Sequence, residues 1–140
     1  MRLMGLDLGE KTIGISVSDE LGLTAQPRTT LKRISKAKDI ACLLDMAKED
    51  SVEGIVVGMP VNMDGGRGKA AKNVERFISL LQENTSLPII PWDERLSTAA
   101  VTRMLVSADM SRAKRKANVD KLAAAYILQG YLDSLKTVRP

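Results

Sequence analysis

The feature that most constrains this chain is its opening run, Leu3-Met4-Gly5-Leu6-Asp7-Leu8-Gly9. A short apolar run that ends at a turn residue reads as a buried strand. Asp7 is planted inside it. An ionised carboxylate taken out of water costs on the order of several kcal/mol unless it is paired or holds a metal. Any fold for this chain must therefore place a compensating group beside Asp7.

Composition narrows what that group can be. The 140 residues include no histidine and one cysteine. Without histidine, Ser-His and Cys-His nucleophilic catalysis are excluded, as are His-ligated zinc and iron. The lone Cys42 cannot form an internal disulfide. It falls in a helical apolar pattern with Ile40, Leu43, Leu44 and Ala47, so it reads as a core residue in a protein of the reducing cytoplasm. No apolar stretch approaches the roughly 18 residues of a membrane span. Met1-Arg2 leads straight into the first strand, so no signal peptide is expected. The length suits one domain over residues 1–140.

The pattern along the chain predicts a mixed α/β fold. Strands are expected over 2–8, 12–18 and 23–32, with turns at Gly9-Glu10-Lys11 and Asp19-Glu20-Leu21-Gly22. In the second strand, Ile13, Ile15 and Val17 fall on one face, with Gly14 and Ser16 opposite. Pro27 confines the third strand to an edge or breaks it. Ser35 is an N-cap for a helix over 36–49. Ile55-Val56-Val57 forms a buried strand ending at Gly58-Met59-Pro60, followed by a loop over 61–68. Ala70, Val74, Phe77, Ile78 and Leu81 then mark an amphipathic helix. The next strand is Pro88–Trp92, with Asp93-Glu94-Arg95 at its end. Ser97 caps a helix carrying Val101, Met104 and Leu105, and a final helix carries Val119, Leu122, Ala123, Tyr126, Ile127 and Gly130. Antiparallel hairpins first and β-α-β units later give one central sheet of about five strands, with helices on both faces.

The excess positive charge is confined to one stretch. Arg112–Lys121 contains five basic residues, Arg112, Lys114, Arg115, Lys116 and Lys121, against Asp120. The rest of the chain balances 16 basic with 16 acidic groups. Such a run fits either a polyanion partner or a solvated loop.

In sheets of this kind, sites form beyond the carboxyl ends of the strands. Asp7 ends the first strand, Glu94 follows the strand 88–92, and Asp120 is expected in the first turn of the last helix. Ala123 and Ala124 would let that helix approach the sheet closely. Three converging carboxylates repel one another unless cations lie between them. With no histidine available, oxygen-ligated Mg²⁺ or Mn²⁺ fits, and a pair of such ions suits phosphodiester chemistry. Taken singly, Asp120 also fits a helix-start charge, and Glu94 also fits a local pair with Arg95.

Gly5-Leu6-Asp7-Leu8-Gly9-Glu10-Lys11-Thr12-Ile13-Gly14, Ser18-Asp19, Gly58-Met59-Pro60, Asp93-Glu94-Arg95-Leu96-Ser97-Thr98 and Val119-Asp120-Lys121-Leu122-Ala123-Ala124, with Ile127-Leu128-Gln129 and Tyr131-Leu132-Asp133, resemble the YqgF family nearly end to end. Its members are described as Holliday junction resolvases or pre-16S rRNA nucleases. The resemblance implies an RNase H-like fold and metal-dependent phosphodiester hydrolysis. It implies an acidic triad of Asp7, Glu94 and Asp120, with Asp7 bridging two ions of Mg²⁺ or Mn²⁺. Many members carry Arg where this chain has Thr12, which removes one phosphate contact. RNase H-like nucleases often carry a fourth acid one turn before the third. Here Ala117 holds that position beside Asn118, so the second ion is expected to bind weakly or to arrive with substrate.

Lys11, beside Asp7, is a candidate phosphate ligand, and Arg95, beside Glu94, fits either a phosphate ligand or a group that orients that acid. Arg67 and Lys69 are also candidate phosphate ligands, in the loop Asp64-Gly65-Gly66-Arg67-Gly68-Lys69, whose backbone N–H groups open a helix. Arg112, Lys114, Arg115 and Lys116 would form a backbone clamp. Aromatic residues are only 3% of the chain, so stacking on bases is not the main expected mode. The expected partner is structured RNA or branched DNA, with no membrane. Maturation of the 5′ end of precursor 16S rRNA is the leading expectation and junction resolution the alternative, the latter implying a homodimer. The Asp-Leu-Gly opening is also similar to actin-like sugar kinases, which need two such domains around a nucleotide. A third reading is a non-catalytic nucleic-acid-binding module of the same fold.

Overall fold

The computed structural model describes residues 1–60, 68–94 and 112–138. The elements run β1 (Leu3–Leu8), β2 (Thr12–Ser18), β3 (Ala25–Lys32), α1 (Lys36–Glu49), β4 (Gly54–Met59), α2 (Lys69–Asn84), β5 (Ile89–Asp93) and α3 (Arg112–Val138). The strands form one five-stranded sheet in the order β3-β2-β1-β4-β5. β1-β2 and β2-β3 are antiparallel, whereas β1-β4 and β4-β5 are parallel. The expected mixed sheet is thus present. Pro27 lies in the edge strand β3, where a missing N–H costs no ladder bond, and the register slips opposite Ile15 and Ser16.

Strand alternation sorts the side chains onto two faces. Met4, Leu6, Ile13, Ile15, Ile55 and Val57 pack with Ile40 and Leu43 of α1 and with Val74, Phe77 and Leu81 of α2. Leu3 and Val56 pack on the other face with Ala123, Ile127, Leu128 and Leu132 of α3. The N-cap at Ser35 is as expected: its side chain accepts from the Lys38 N–H at 3.2 Å. Cys42 is free and half-buried, at the margin of the core. The helix expected after Ser97 lies outside the described residues.

Strands β1, β3 and β5 begin one or two residues later than the sequence reading places them, and β5 takes in Asp93; the larger difference is at the last helix. The last helix begins at Arg112, so Asp120 is not in its first turn. Arg112, Ala113, Lys114, Arg115, Lys116 and Ala117 are all good helix formers, and their charge does not disfavour a helix. The helix dipole at an N-terminus therefore does not account for Asp120, because that effect fades within the first turn.

α3 lies unusually close to the sheet, and glycines permit it. A Cβ on Gly5 would stand 2.7 Å from Leu128 Cβ and 2.9 Å from the Ala124 carbonyl. A Cβ on Gly14 would collide with the backbone carbonyl of Asp120. Between them, the buried Ser16 hydroxyl donates to the Ala124 carbonyl at 2.8 Å. α3 therefore runs antiparallel to β1, reaching Asp120 at the carboxyl end of that strand.

Candidate active site

Asp7 is in register with Gly14 across the β1-β2 ladder, so both face α3. Since Gly14 lies under Asp120, the backbone of α3 brings Asp120 beside Asp7. Both residues are half-buried. The first strand places its acid at a sheet end, as expected, and the small residues Ala123 and Ala124 are fully buried beneath the helix.

Glu94 directly follows β5 and is also half-buried. Ile90 and Trp92 pack on the α3 face, so strand alternation carries Glu94 to the same side as Asp7 and Asp120. β4 separates β1 from β5, which puts the two strands about 10 Å apart. Trp92 meets Tyr131 of α3 edge to face, with ring centroids 5.6 Å apart, fixing β5 against the helix just before Glu94. Among the described residues, no three His, Cys, Asp or Glu side chains come close enough together to hold an ion. The backbone thus brings Asp7 and Asp120 together and sets Glu94 on their face, two strands away. The donors are carboxylate oxygens only, a set that suits a hard divalent cation.

One contact goes beyond the sequence pattern. The Thr12 hydroxyl donates to Asp120 Oδ2. Thr12 opens β2 on the face of Gly14 and Ser16. That alternation is visible in the sequence, but the helix that meets it is not.

The candidate phosphate ligands divide. Lys11 is exposed in the turn between β1 and β2, and its carbonyl accepts from the Arg33 N–H at 2.9 Å. Lys69 is the first residue of α2, which packs on the sheet face opposite the one α3 covers. There it lines a cavity of about 720 Å³ with Gly9, Arg33, Lys36, Asp39 and Phe77, and none of the three acids lines that cavity. Arg67 and Arg95 lie outside the described residues. Arg112, Lys114, Arg115 and Lys116 belong to the first turns of α3, in a helix where a loop was the alternative.

A second network supports the turn after Asp7. The Arg33 guanidinium donates to the Gly9 carbonyl at 2.8 Å and pairs with the buried Asp39 at 3.3 Å. It also lies 5.5 Å from the centre of the Phe77 ring. Asp39 accepts in addition from the Ile34 N–H at 3.0 Å.

A five-stranded mixed sheet crossed on one face by a long helix, with acids at the carboxyl end of its first strand, is the RNase H-like fold of RuvC-type resolvases. The chain matches Thermus thermophilus RuvC in complex with a Holliday junction substrate with a TM-score of 0.62, at 14% identity, over 97% of this chain and 96% of that one. The chain belongs to the RuvX family, "Holliday junction resolvase", whose model matches residues 1–134. It is 54% identical over 134 residues to a protein of Desulforamulus reducens, covering 96% of this chain and 98% of the relative. It is 50% identical over 135 residues to one of Clostridium botulinum strain Hall, with the same coverage. Both relatives carry the name "Putative pre-16S rRNA nuclease". The family is one of hydrolytic nucleases, so the two-domain kinase reading of the Asp-Leu-Gly opening falls away. Among the described residues, no helix is long and apolar enough to cross a membrane.

Proposed function

We propose that residues 1–140 form a single metal-dependent endonuclease domain acting on structured nucleic acid, with Asp7, Glu94 and Asp120 as its acids. The observation that carries this is the placement of Asp120 against the Asp7-Gly14 pair, at the carboxyl end of β1. Bound Mg²⁺ or Mn²⁺ would supply activation of a water and neutralisation of the charge that builds on the phosphate. Asp7, on the central strand between the other two acids, is suited to bridge two ions. Glu94 and Asp120 would each complete one site, the second ion arriving with substrate. The open, half-buried edge admits a phosphodiester backbone, and Lys11 beside it supplies a cation for a phosphate. The preferred substrate is precursor 16S rRNA, matured at its 5′ end in the cytoplasm; what supports this is that both relatives are named for nuclease action on pre-16S rRNA. The family description, "Holliday junction resolvase", favours a second reading, a resolvase of four-way DNA junctions, which would act as a homodimer.

The test compares a precursor 16S rRNA fragment with a four-way junction at one salt concentration, with Mg²⁺, Mn²⁺ or EDTA. Metal-dependent cleavage is expected, faster on the RNA and abolished in a folded Asp7→Asn variant. Cleavage that survives both EDTA and Asp7→Asn would sink the metal mechanism. A preference for the junction, with a dimer in solution, would move the assignment to the second reading.

A further inference from the structure

We propose that Thr12 is a positioning residue for the acid on α3. It rests on the reading of Asp120 as a member of the site. The Thr12 hydroxyl donates to Asp120 Oδ2, and both side chains are half-buried. The backbone of Thr12 is itself anchored: its carbonyl accepts from the Gly9 N–H at 2.9 Å, two residues beyond Asp7. One residue therefore ties the turn that follows the first acid to the carboxylate of the last. Asp7 stands on a central strand, whose backbone is held by ladders on both sides. Asp120 stands on a helix that crosses the sheet, and its carboxylate can rotate about two side-chain bonds. A hydroxyl bonded to one oxygen removes that freedom and leaves the other oxygen to a cation or a substrate-bound water. Threonine suits the task, since its branched Cβ restricts the hydroxyl to few orientations. The hydroxyl also offers Asp120 a neutral donor, which orients the carboxylate without cancelling the charge that a metal requires. Groups that orient a metal-binding carboxylate commonly contribute about 10–100-fold to metal affinity or activity.

The experiment uses the full chain and three variants, Thr12→Val, Thr12→Ser and Asp120→Asn. Two quantities are measured: Mn²⁺ binding by electron paramagnetic resonance, and the Mn²⁺ dependence of cleavage of the junction and the precursor rRNA fragment. Thr12→Val keeps the shape and removes the donor. It is expected to weaken the Mn²⁺ dependence by about 10–100-fold, with a small change in melting temperature. Thr12→Ser is expected to restore most of the loss. Loss of melting temperature in Thr12→Val, with wild-type Mn²⁺ dependence in both measurements, would overturn the proposal and leave Thr12 a structural contact. Failure of Thr12→Ser to recover would also overturn it. Asp120→Asn separates the two layers. If it retains wild-type cleavage and metal dependence, the assignment of Asp120 to the site fails. If it loses both while Thr12→Val keeps both, only the role of Thr12 fails.

Discussion

The backbone carbonyl of Asp120 occupies the space a side chain on Gly14 would need. The glycine therefore sets the height of α3 above the sheet at the point where the last acid meets the first. Gly14→Ala must push the helix outward, because the obstacle is backbone and cannot rotate away. Overpacking of this kind costs about 1–3 kcal/mol, and this site belongs at the upper end. Cleavage is expected to fall further than stability, since Asp120 moves with the helix. Denaturant unfolding, followed through the single tryptophan, Trp92 on Tyr131, alongside a cleavage assay, checks both. Wild-type activity in a stably folded Gly14→Ala would refute it.

The Arg33–Asp39 pair should matter for both stability and the site. Asp39 is 2% exposed and accepts from both Arg33 and the Ile34 N–H. Asp39→Ala strands both donors and loosens Arg33 from the Gly9 carbonyl. Since Arg33 keeps some contact with water, the loss is expected at about 2–3 kcal/mol, below that for a fully buried pair. Asp39→Asn keeps an acceptor for Ile34 and should lose less. Thermal melting of the two variants gives the order, and equal losses would contradict it.

Asp19 should make stability depend on acid. Its carboxylate accepts from the Thr24 N–H at 3.0 Å and the Leu23 N–H at 2.7 Å. These bonds, that of Thr24 foremost, hold its pKa below the ordinary value. A carboxyl depressed in the folded state stabilises above its unfolded pKa of about 3.9, and the benefit is lost as pH falls through the folded value. Asp19→Ala should therefore melt below wild type at neutral pH, the two curves converging in acid. A constant offset across that range would exclude the linkage.

These residues also mark what local pattern can and cannot reveal. Asp7 stands out because a carboxylate in an apolar run demands an explanation on its own. The alternation of Ile13, Ile15 and Val17 sorts β2 correctly, because strand period is a local property. The need for glycine at 5 and 14 is not legible, since it arises from a helix more than a hundred residues away. The partnership of Thr12 with Asp120 is hidden for the same reason. The start of α3 is hard to read because a dense run of charge fits a solvated loop as well, although its residues are strong helix formers. The placement of Glu94 is readable as the end of a strand, but its side relative to Asp7 requires the sheet order.

The early start of α3 changes what its basic residues can do. Arg112 to Val119 supply eight helical residues before Asp120, about 12 Å of helix. Because α3 runs antiparallel to β1, this segment leads away from the acids, past the carboxyl end of that strand. A phosphate backbone lying over Asp7 and Asp120 would continue along it. Replacing Arg112, Lys114, Arg115 and Lys116 together with glutamine removes the charge and keeps good helix formers. Each phosphate left without its cation should reduce the slope of log binding constant against log salt by about 0.9 on B-form DNA, for a total of up to about 3–4. Cleavage at saturating nucleic acid should change far less, since the acids are untouched. Binding measured across a salt series, on the junction and the precursor rRNA fragment, makes the comparison. An unchanged slope would mean that this basic stretch is solvated rather than in contact with the substrate.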